Sequence, residues 1–178
     1  IKADDIRDLG AVDQALRVFF DGQNPSQIVR TPHAAKKTSA GEQASVAQLA
    51  WLYRVKQIAK ELLVPKYQES AARAALPRLR ALLSAPEEAR HVPRILQECG
   101  IRFVVVEALK SSKIDGVCLW LNEHSPVIGM TMRFDRMDNF WFVLRHELEH
   151  VLLGHGKVEP SLDVDLNEDV VDEEEKLA

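Results

Sequence analysis

Apolar side chains recur every three or four positions along the first hundred residues, which is the spacing of a helix with one buried face. This pattern predicts helices over residues 4–20, 42–63, 68–84 and 86–99. Residues 21–42 lack the periodicity and contain several Gly and Pro residues. They are therefore predicted to form a loop or linker.

Capping and breaking residues set the expected limits of these helices. Asp4 or Asp5 is predicted to cap the first helix, because a short acidic side chain can accept from the free N–H groups of its first turn. Pro65 is predicted to end the second helix and Gly100 the last. Pro77 lies near the middle of the third helix and should kink or break it.

After residue 100 the pattern changes to short apolar runs rich in β-branched residues, which favour strands. Strands are predicted over residues 101–107, 116–121 and 126–133. The connection between the last two is short, so a hairpin is expected there. A strand such as 126–133 at the edge of a cleft could pair with an extended substrate.

A strongly apolar helix is predicted over residues 139–154, with Asp138 as its N-cap and Gly154 as its stop. A polar tail over 156–169 should lead to a helical start at 169–178. The order of elements predicts an α+β fold, in which a helical N-terminal region precedes a small antiparallel sheet packed on the apolar helix. Two units are expected, a helical linker or scaffold over 1–100 and a domain over 101–178.

Composition narrows the functional classes. Apolar residues make up 46% of the chain, charged residues 28%, and the formal net charge of −4 gives no nucleic-acid signature. No apolar run approaches membrane-spanning length, so no membrane association is expected. The two cysteines, Cys99 and Cys118, lack metal-site spacing and are predicted to be buried free thiols, which favours a cytoplasmic location.

The candidate chemistry lies in the apolar helix, where residues 146–150 read His-Glu-Leu-Glu-His and fit the pattern H-E-x-x-H. Residues four apart share one helix face, so His146 and His150 can converge on one Zn²⁺. Glu147 lies about 100° around the helix and is predicted to act as the general base toward an attacking water. Two histidines and two glutamates in a buried helix would be costly without such a partner.

A third ligand must come from outside this helix. His155 is one residue too early for the pattern H-E-x-x-H-x-x-G-x-x-H and is interpreted as a helix-end residue. The acidic tail offers carboxylates, although most such charge runs are solvated surfaces. The candidates there are Glu173, Glu174 and Glu175.

The chain from about Gly116 to Ala178 resembles the ImmA/IrrE family of zinc metallopeptidases. The matching text is Trp-Leu-Asn at 120–122, Pro-Val-Ile at 126–128, Phe-Trp-Phe at 140–142 and Arg-His-Glu-Leu-Glu-His-Val-Leu-Leu-Gly-His at 145–155. The resemblance implies a zincin-like, gluzincin-type fold. The second motif helix of the family carries a glutamate three residues before an alanine, and here Glu175 stands three residues before Ala178. The resemblance therefore implies Glu175 as the third ligand, with Glu174 as the alternative. The family usually has Gly where this chain has Glu149.

The resemblance implies a zinc-dependent endopeptidase that cleaves a protein partner, expected to be a transcriptional regulator. Larger regulators of the family carry a helix-turn-helix of the Xre type and are grouped with HigA-like antitoxins. No such motif is found in residues 1–100, so nucleic-acid binding is expected only through a domain absent from this chain. The alternative is a non-catalytic sensor or antitoxin-like regulatory module that keeps the fold, and a homodimer through the N-terminal helices is a further expectation. Trp51, Leu52 and Tyr53 could contact a partner, but core packing is favoured.

Overall fold

A computed structural model describes residues 8–22, 36–37, 44–110, 112–164 and 166. These residues form an α+β structure with five α-helices and a mixed sheet of four strands, to which a two-residue strand adds at one edge. The helices are α1 (Leu9–Phe19), α2 (Val46–Glu61), α3 (Glu69–Ala81), α4 (Val92–Glu98) and α5 (Met137–Leu153). The strands are β1 (Lys36–Lys37), β2 (Arg102–Val105), β3 (Ile114–Trp120), β4 (Pro126–Met130) and β5 (Ser161–Val164).

The sheet has the order β1-β5-β3-β4-β2. Strands β3 and β4 form the predicted hairpin, with Trp120 opposite Pro126. The prediction of an antiparallel sheet is wrong in part, since β2 pairs parallel with β4 and β1 parallel with β5. From β2 the chain passes the position of β4 and forms β3, and the hairpin then returns it to β4. Strand β4 therefore lies next to β2 and runs in the same direction.

Two further predictions about strands are wrong. Strand β4 has a neighbour on both sides, so its backbone is already paired and residues 126–133 do not form an edge that could receive a substrate. The segment 156–169, predicted as a polar tail, contains strand β5. Its sequence, Ser-Leu-Asp-Val, alternates between apolar and polar residues over only four positions and lies next to a run of acidic residues. The pattern was therefore too short to predict a strand.

The helices of the first hundred residues follow the apolar pattern, with different ends. Asp8, not Asp4 or Asp5, caps α1, because its side chain accepts from the N–H groups of two first-turn residues. Ser45 and Gln48 form a reciprocal capping box at the start of α2. Pro77 lies inside α3, which continues through it to Ala81, so the expected break does not occur. The helix predicted over 86–99 divides into a 3₁₀ segment, Pro86–His91, followed by α4.

Helix α5 begins two residues earlier than predicted. Arg136 precedes it without a side-chain cap, so the prediction of Asp138 as N-cap is wrong; Asp138 lies in the first turn and pairs with Arg136. Its end is as predicted, because Gly154 has a φ of 73°, a left-handed conformation that glycine adopts without steric cost.

Apolar side chains cover both faces of the sheet. On one face, α2 packs on the alternate residues of the strands, including Val117 and Leu162. On the other face, α3, α4 and α5 pack on residues such as Cys118 and Ile128. Successive strand residues point to opposite faces, so this second face also receives the neighbours of Val117 and Leu162, which are Gly116 and Asp163.

Both cores combine residues from either side of residue 100. The division into units 1–100 and 101–178 stays a prediction, and residues of both units contribute to each core. Trp51, Leu52 and Tyr53 are buried in the core under α2, as favoured. Cys99 and Cys118 are buried free thiols, as predicted. Among the described helices, none is both long enough and apolar enough to cross a membrane.

Candidate metal centre

Helix α5 carries His146, Glu147 and His150 on the side that faces β3 and β5. Val143, Leu144, Leu148 and Val151 of the same helix are buried, so the sheet fixes the rotation of the helix. As a result Glu147 is completely buried, whereas the side chains of His146 and His150 keep 30% and 15% of their exposure. The histidines thus lie at the rim of the packed layer, with the glutamate beneath them.

Strand β5 brings a carboxylate to these histidines. Asp163 is fully buried, and its Oδ2 lies 3.3 Å from Nε2 of His146 and 3.5 Å from Nε2 of His150. The two Nε2 atoms are 3.0 Å apart. Within the described chain, His146, His150 and Asp163 form the group of side chains that could hold a metal ion.

The three donor atoms fit the needs of a zinc ion. Four donors arranged as a tetrahedron at about 2.0–2.1 Å from zinc lie about 3.3 Å from one another. The separations between Nε2 of His146, Nε2 of His150 and Oδ2 of Asp163 fall between 3.0 and 3.5 Å. Two imidazoles and a carboxylate are also a donor set that binds zinc at sites with an open position. The residues present therefore suit a divalent cation of this class.

Glu147 is held against the sheet at a point where the sequence supplies a glycine. A β-carbon added at Gly116 would lie 2.8 Å from Cδ and 2.9 Å from Cγ of Glu147, so only glycine leaves room for this carboxyl group. Asp163 is the residue opposite Gly116 in the β3–β5 register. Burial raises the pKa of Glu147 well above its ordinary value, and the neighbouring carboxylates of Asp163 and Asp115 raise it further.

Asp115 adds a third buried carboxyl group to this layer. It is the extra residue at the irregularity between Ile114 and Gly116, where the register of β3 against β5 shifts. Its Oδ2 accepts a hydrogen bond from the N–H of Leu166, and its Oδ1 lies 3.8 Å from Nη1 of Arg133. A layer with three buried carboxyl groups favours the binding of a cation, since buried negative charge is costly when it is not compensated.

His146 contacts Asp163 of this layer directly, whereas His155 contacts His150. A hydrogen bond with Asp163 raises the pKa of His146, against the effect of burial. His155 lies beyond Gly154 at the end of α5, as interpreted from the sequence, and its Nδ1 is 2.8 Å from Nδ1 of His150. It therefore contacts the far side of the His150 ring, while Nε2 of His150 faces the other donors.

Glu149 occupies the position where the ImmA/IrrE family, which the motif text resembles, usually has glycine, and its charge contributes to the raised pKa of His146. Its carboxylate is exposed and accepts hydrogen bonds from Nε and Nη2 of Arg145, at 3.2 and 2.9 Å. Solvent and Arg145 thus accommodate the additional charge. Glu149 does not fill the space between the histidines.

The structure unites three of the predicted site residues and adds one. His146, Glu147 and His150 lie together, whereas Glu173, Glu174 and Glu175 are outside the described residues, so Glu175 as third ligand stays a prediction. Sequence reasoning missed Asp163. The available signal was the short alternation of apolar and acidic residues in which Asp163 lies. Nothing in that pattern distinguishes Asp163 from the other acidic residues of the tail.

An apolar cleft of about 430 Å³ lies on the opposite side of α5, between that helix and α3. Trp141, Leu144 and Leu148 line it from α5, and Arg80 and Arg145 also contribute to its lining. These α5 positions are displaced around the helix from His146 and His150. The cleft is therefore separate from the candidate metal centre.

Comparisons with known proteins add no relatives. No family model, no curated protein and no solved structure matches this chain. The resemblance to the ImmA/IrrE family consequently stays a prediction from the motif text.

Proposed function

We propose that this chain is a zinc-dependent peptidase in which His146, His150 and Asp163 bind the metal and Glu147 is the general base. The observation that supports this most directly is the convergence of the two Nε2 atoms and one carboxylate oxygen within 3.0–3.5 Å of one another. The spacing H-E-x-x-H and the position of Glu147 between the two histidines support a hydrolytic role for the site.

The bound zinc would supply Lewis-acid polarisation of a substrate carbonyl and of a water molecule. His146 and His150 each present Nε2, and Asp163 adds a negative charge that compensates the cation. Glu147 accepts the proton of the attacking water and passes it to the leaving amine. Burial raises the pKa of Glu147, which strengthens its carboxylate as a proton acceptor.

Access to the site is from the side of His146, the more exposed of the two histidines. The packed side chains on the sheet face keep water away from the opposite side of Glu147. We propose a protein as the substrate, with a transcriptional regulator as the expected partner. That choice is supported by the resemblance of residues 116–178 to peptidases that act in transcriptional regulation.

A second candidate is a non-catalytic regulatory module that binds zinc and keeps the fold. The complete burial of Glu147 favours this candidate, since a general base must reach its water. In such a module Glu147 would serve the packing between α5 and β3. Metal binding would then stabilise or sense a state of the protein, and no peptide would be cleaved.

The variant Glu147→Gln separates the two candidates. It keeps the shape of the side chain and removes the base. For the peptidase, we expect zinc content equal to that of the unsubstituted chain and the loss of cleavage of a mixed-sequence fluorogenic peptide library. Equal cleavage by both proteins would contradict the proposed role of Glu147.

Glu149→Gln is the matched control, because Glu149 is in the same helix and is exposed to solvent. It should retain both zinc and cleavage. Zinc binding without peptide cleavage in the unsubstituted chain, at any of several pH values, would favour the regulatory module.

A further inference from the structure

His150 has two ring nitrogens, and the structure gives each a different partner. Nε2 faces His146 and Asp163, at 3.0 and 3.5 Å. Nδ1 lies 2.8 Å from Nδ1 of His155. Because one nitrogen of a neutral imidazole carries the hydrogen and the other the lone pair, a partner at Nδ1 decides which form His150 adopts.

His155 is itself held in place by the fold. Its backbone N–H donates to the carbonyl of His150 at 2.9 Å, and its carbonyl accepts from Nε1 of Trp120 at 2.8 Å. The thiol of Cys118 also lies 3.5 Å from this carbonyl. Main-chain and side-chain contacts thus tie His155 both to the helix and to strand β3.

Two glycines make this arrangement possible. Gly154 and Gly156 both have positive φ, at 73° and 77°. A β-carbon at Gly156 would lie 2.5 Å from the carbonyl oxygen of Cys118, so the loop can approach β3 this closely only with glycine there. The chain segment between the two glycines places His155 against His150, and the contacts of its carbonyl with Trp120 and Cys118 join it to β3.

We propose that His155 is a positioning residue for the metal centre: its Nδ1 accepts the hydrogen of Nδ1 in His150 and so directs the lone pair of Nε2 toward the metal. This role rests on the proposed function, since it presupposes a metal bound by His150. Metal-binding histidines are generally fixed by a hydrogen bond at the second ring nitrogen, and loss of that partner lowers metal affinity about 10–100-fold. In this chain an imidazole on a glycine-flanked loop provides the bond.

Zinc affinity of the full chain, measured by competition with a chromogenic chelator, tests the proposal without any substrate. His155→Leu removes the acceptor, and His155→Asn keeps one, because Oδ1 of Asn is attached to Cγ as Nδ1 of His is. We expect the zinc dissociation constant to rise about 10–100-fold in the Leu variant. The Asn variant should stay close to the unsubstituted chain.

His124→Leu is the matched control, since His124 is exposed in the β3–β4 turn, away from the donors. It should leave zinc affinity unchanged. Thermal unfolding of the Leu and Asn variants in chelator shows whether both fold equally well, so the Asn rescue separates hydrogen bonding from packing.

Equal zinc affinity of the Leu variant and the unsubstituted chain would overturn the role of His155 and leave the proposed function intact. Equal loss in the Asn and Leu variants would also overturn it, because the acceptor would then have no part in the effect. Failure of the unsubstituted chain to bind zinc would contradict the proposed function, and with it this role.

Discussion

The carboxyl group of Glu147 occupies the space that a side chain at Gly116 would fill. Cδ and Cγ of Glu147 lie 2.8 and 2.9 Å from the place of a β-carbon on Gly116. This contact joins helix α5 to strand β3 and sets the depth at which Glu147 is buried. The candidate general base is therefore positioned by the absence of a side chain on the neighbouring strand.

Gly116→Ala should displace Glu147 and weaken the packing of α5 on the sheet. Extra volume in a packed core costs about 1–3 kcal/mol, so the free energy of unfolding should fall by that amount. Chemical denaturation measures it. Cleavage should fall more than zinc affinity, since the carboxyl group moves while the two Nε2 atoms stay at the rim.

The double variant Gly116→Ala/Glu147→Ala tests whether the two side chains compete for the same space. Shortening Glu147 should remove most of the cost of the methyl group added at position 116, which a double-mutant cycle reports as a coupling energy. Gly129→Ala is the matched control, because it would crowd Val55 and Val117 on the other sheet face. It should destabilise the fold with no coupling to Glu147. Additive effects of the substitutions at 116 and 147 would contradict the steric account.

Asp163→Asn should lower zinc affinity by about 100-fold or more, because it removes a charged donor from a site with few protein ligands. Competition titration with a chelator measures this. Removal of a buried carboxylate beside Glu147 should leave the metal-free fold intact, which circular dichroism checks. Glu175→Gln is the parallel test of the ligand predicted from the sequence. A loss confined to Glu175→Gln would contradict the assignment of Asp163.

Zinc-free protein should lose stability as the pH rises above about 4.3, the ordinary pKa of a glutamate. Burial raises the pKa of Glu147 in the folded chain. Below the ordinary value both states are protonated and no stability is lost; above it the unfolded chain releases a proton that the folded chain retains. The free energy of unfolding then falls by up to about 1.4 kcal/mol per pH unit until the folded pKa is reached.

Glu147→Gln should remove this fall, and urea denaturation in chelator between about pH 4.5 and 6 compares the two proteins. His146 also has a raised pKa, and its contribution is lost only as the pH rises through and above about 6.5. The chosen range therefore separates the two groups. Identical pH profiles of the variant and the unsubstituted chain would show that Glu147 is not the buried acid responsible.

The sequence predicted the parts of the fold that local patterns determine. The hairpin of β3 and β4, the span of α2 and the end of α5 at Gly154 each follow from a short-range signal, such as a tight turn, a regular apolar spacing or a left-handed glycine. The two histidines and Glu147 were found for the same reason, since all three lie within one helical turn.

Long-range pairing was beyond such signals. Strand β5 has four residues, and its strand character depends on β3 beside it rather than on its own composition. Asp163 reaches the histidines only through that pairing, so no spacing in the sequence connects it with His146. The contact of Gly116 with Glu147 is similarly non-local, because a lone glycine in a strand pattern does not reveal which side chain approaches it.

The thiol of Cys118 offers a final test of the packing beneath the site. Burial raises the pKa of this thiol, and the carboxyl groups of Glu147 and Asp163 raise it further. Because the thiolate is the form that reacts with iodoacetamide, Cys118 should remain unlabelled in the folded chain at about pH 8, and so should Cys99, whose pKa burial also raises. Both should react at once in guanidinium chloride, as peptide mass spectrometry would record.

Gly156→Ala, which crowds the Cys118 carbonyl, should expose Cys118 to labelling and leave Cys99 protected. Rapid labelling of Cys118 in the unsubstituted folded chain would show instead that β3 and the loop of His155 separate readily, and the metal centre would then lack the rigid support described above.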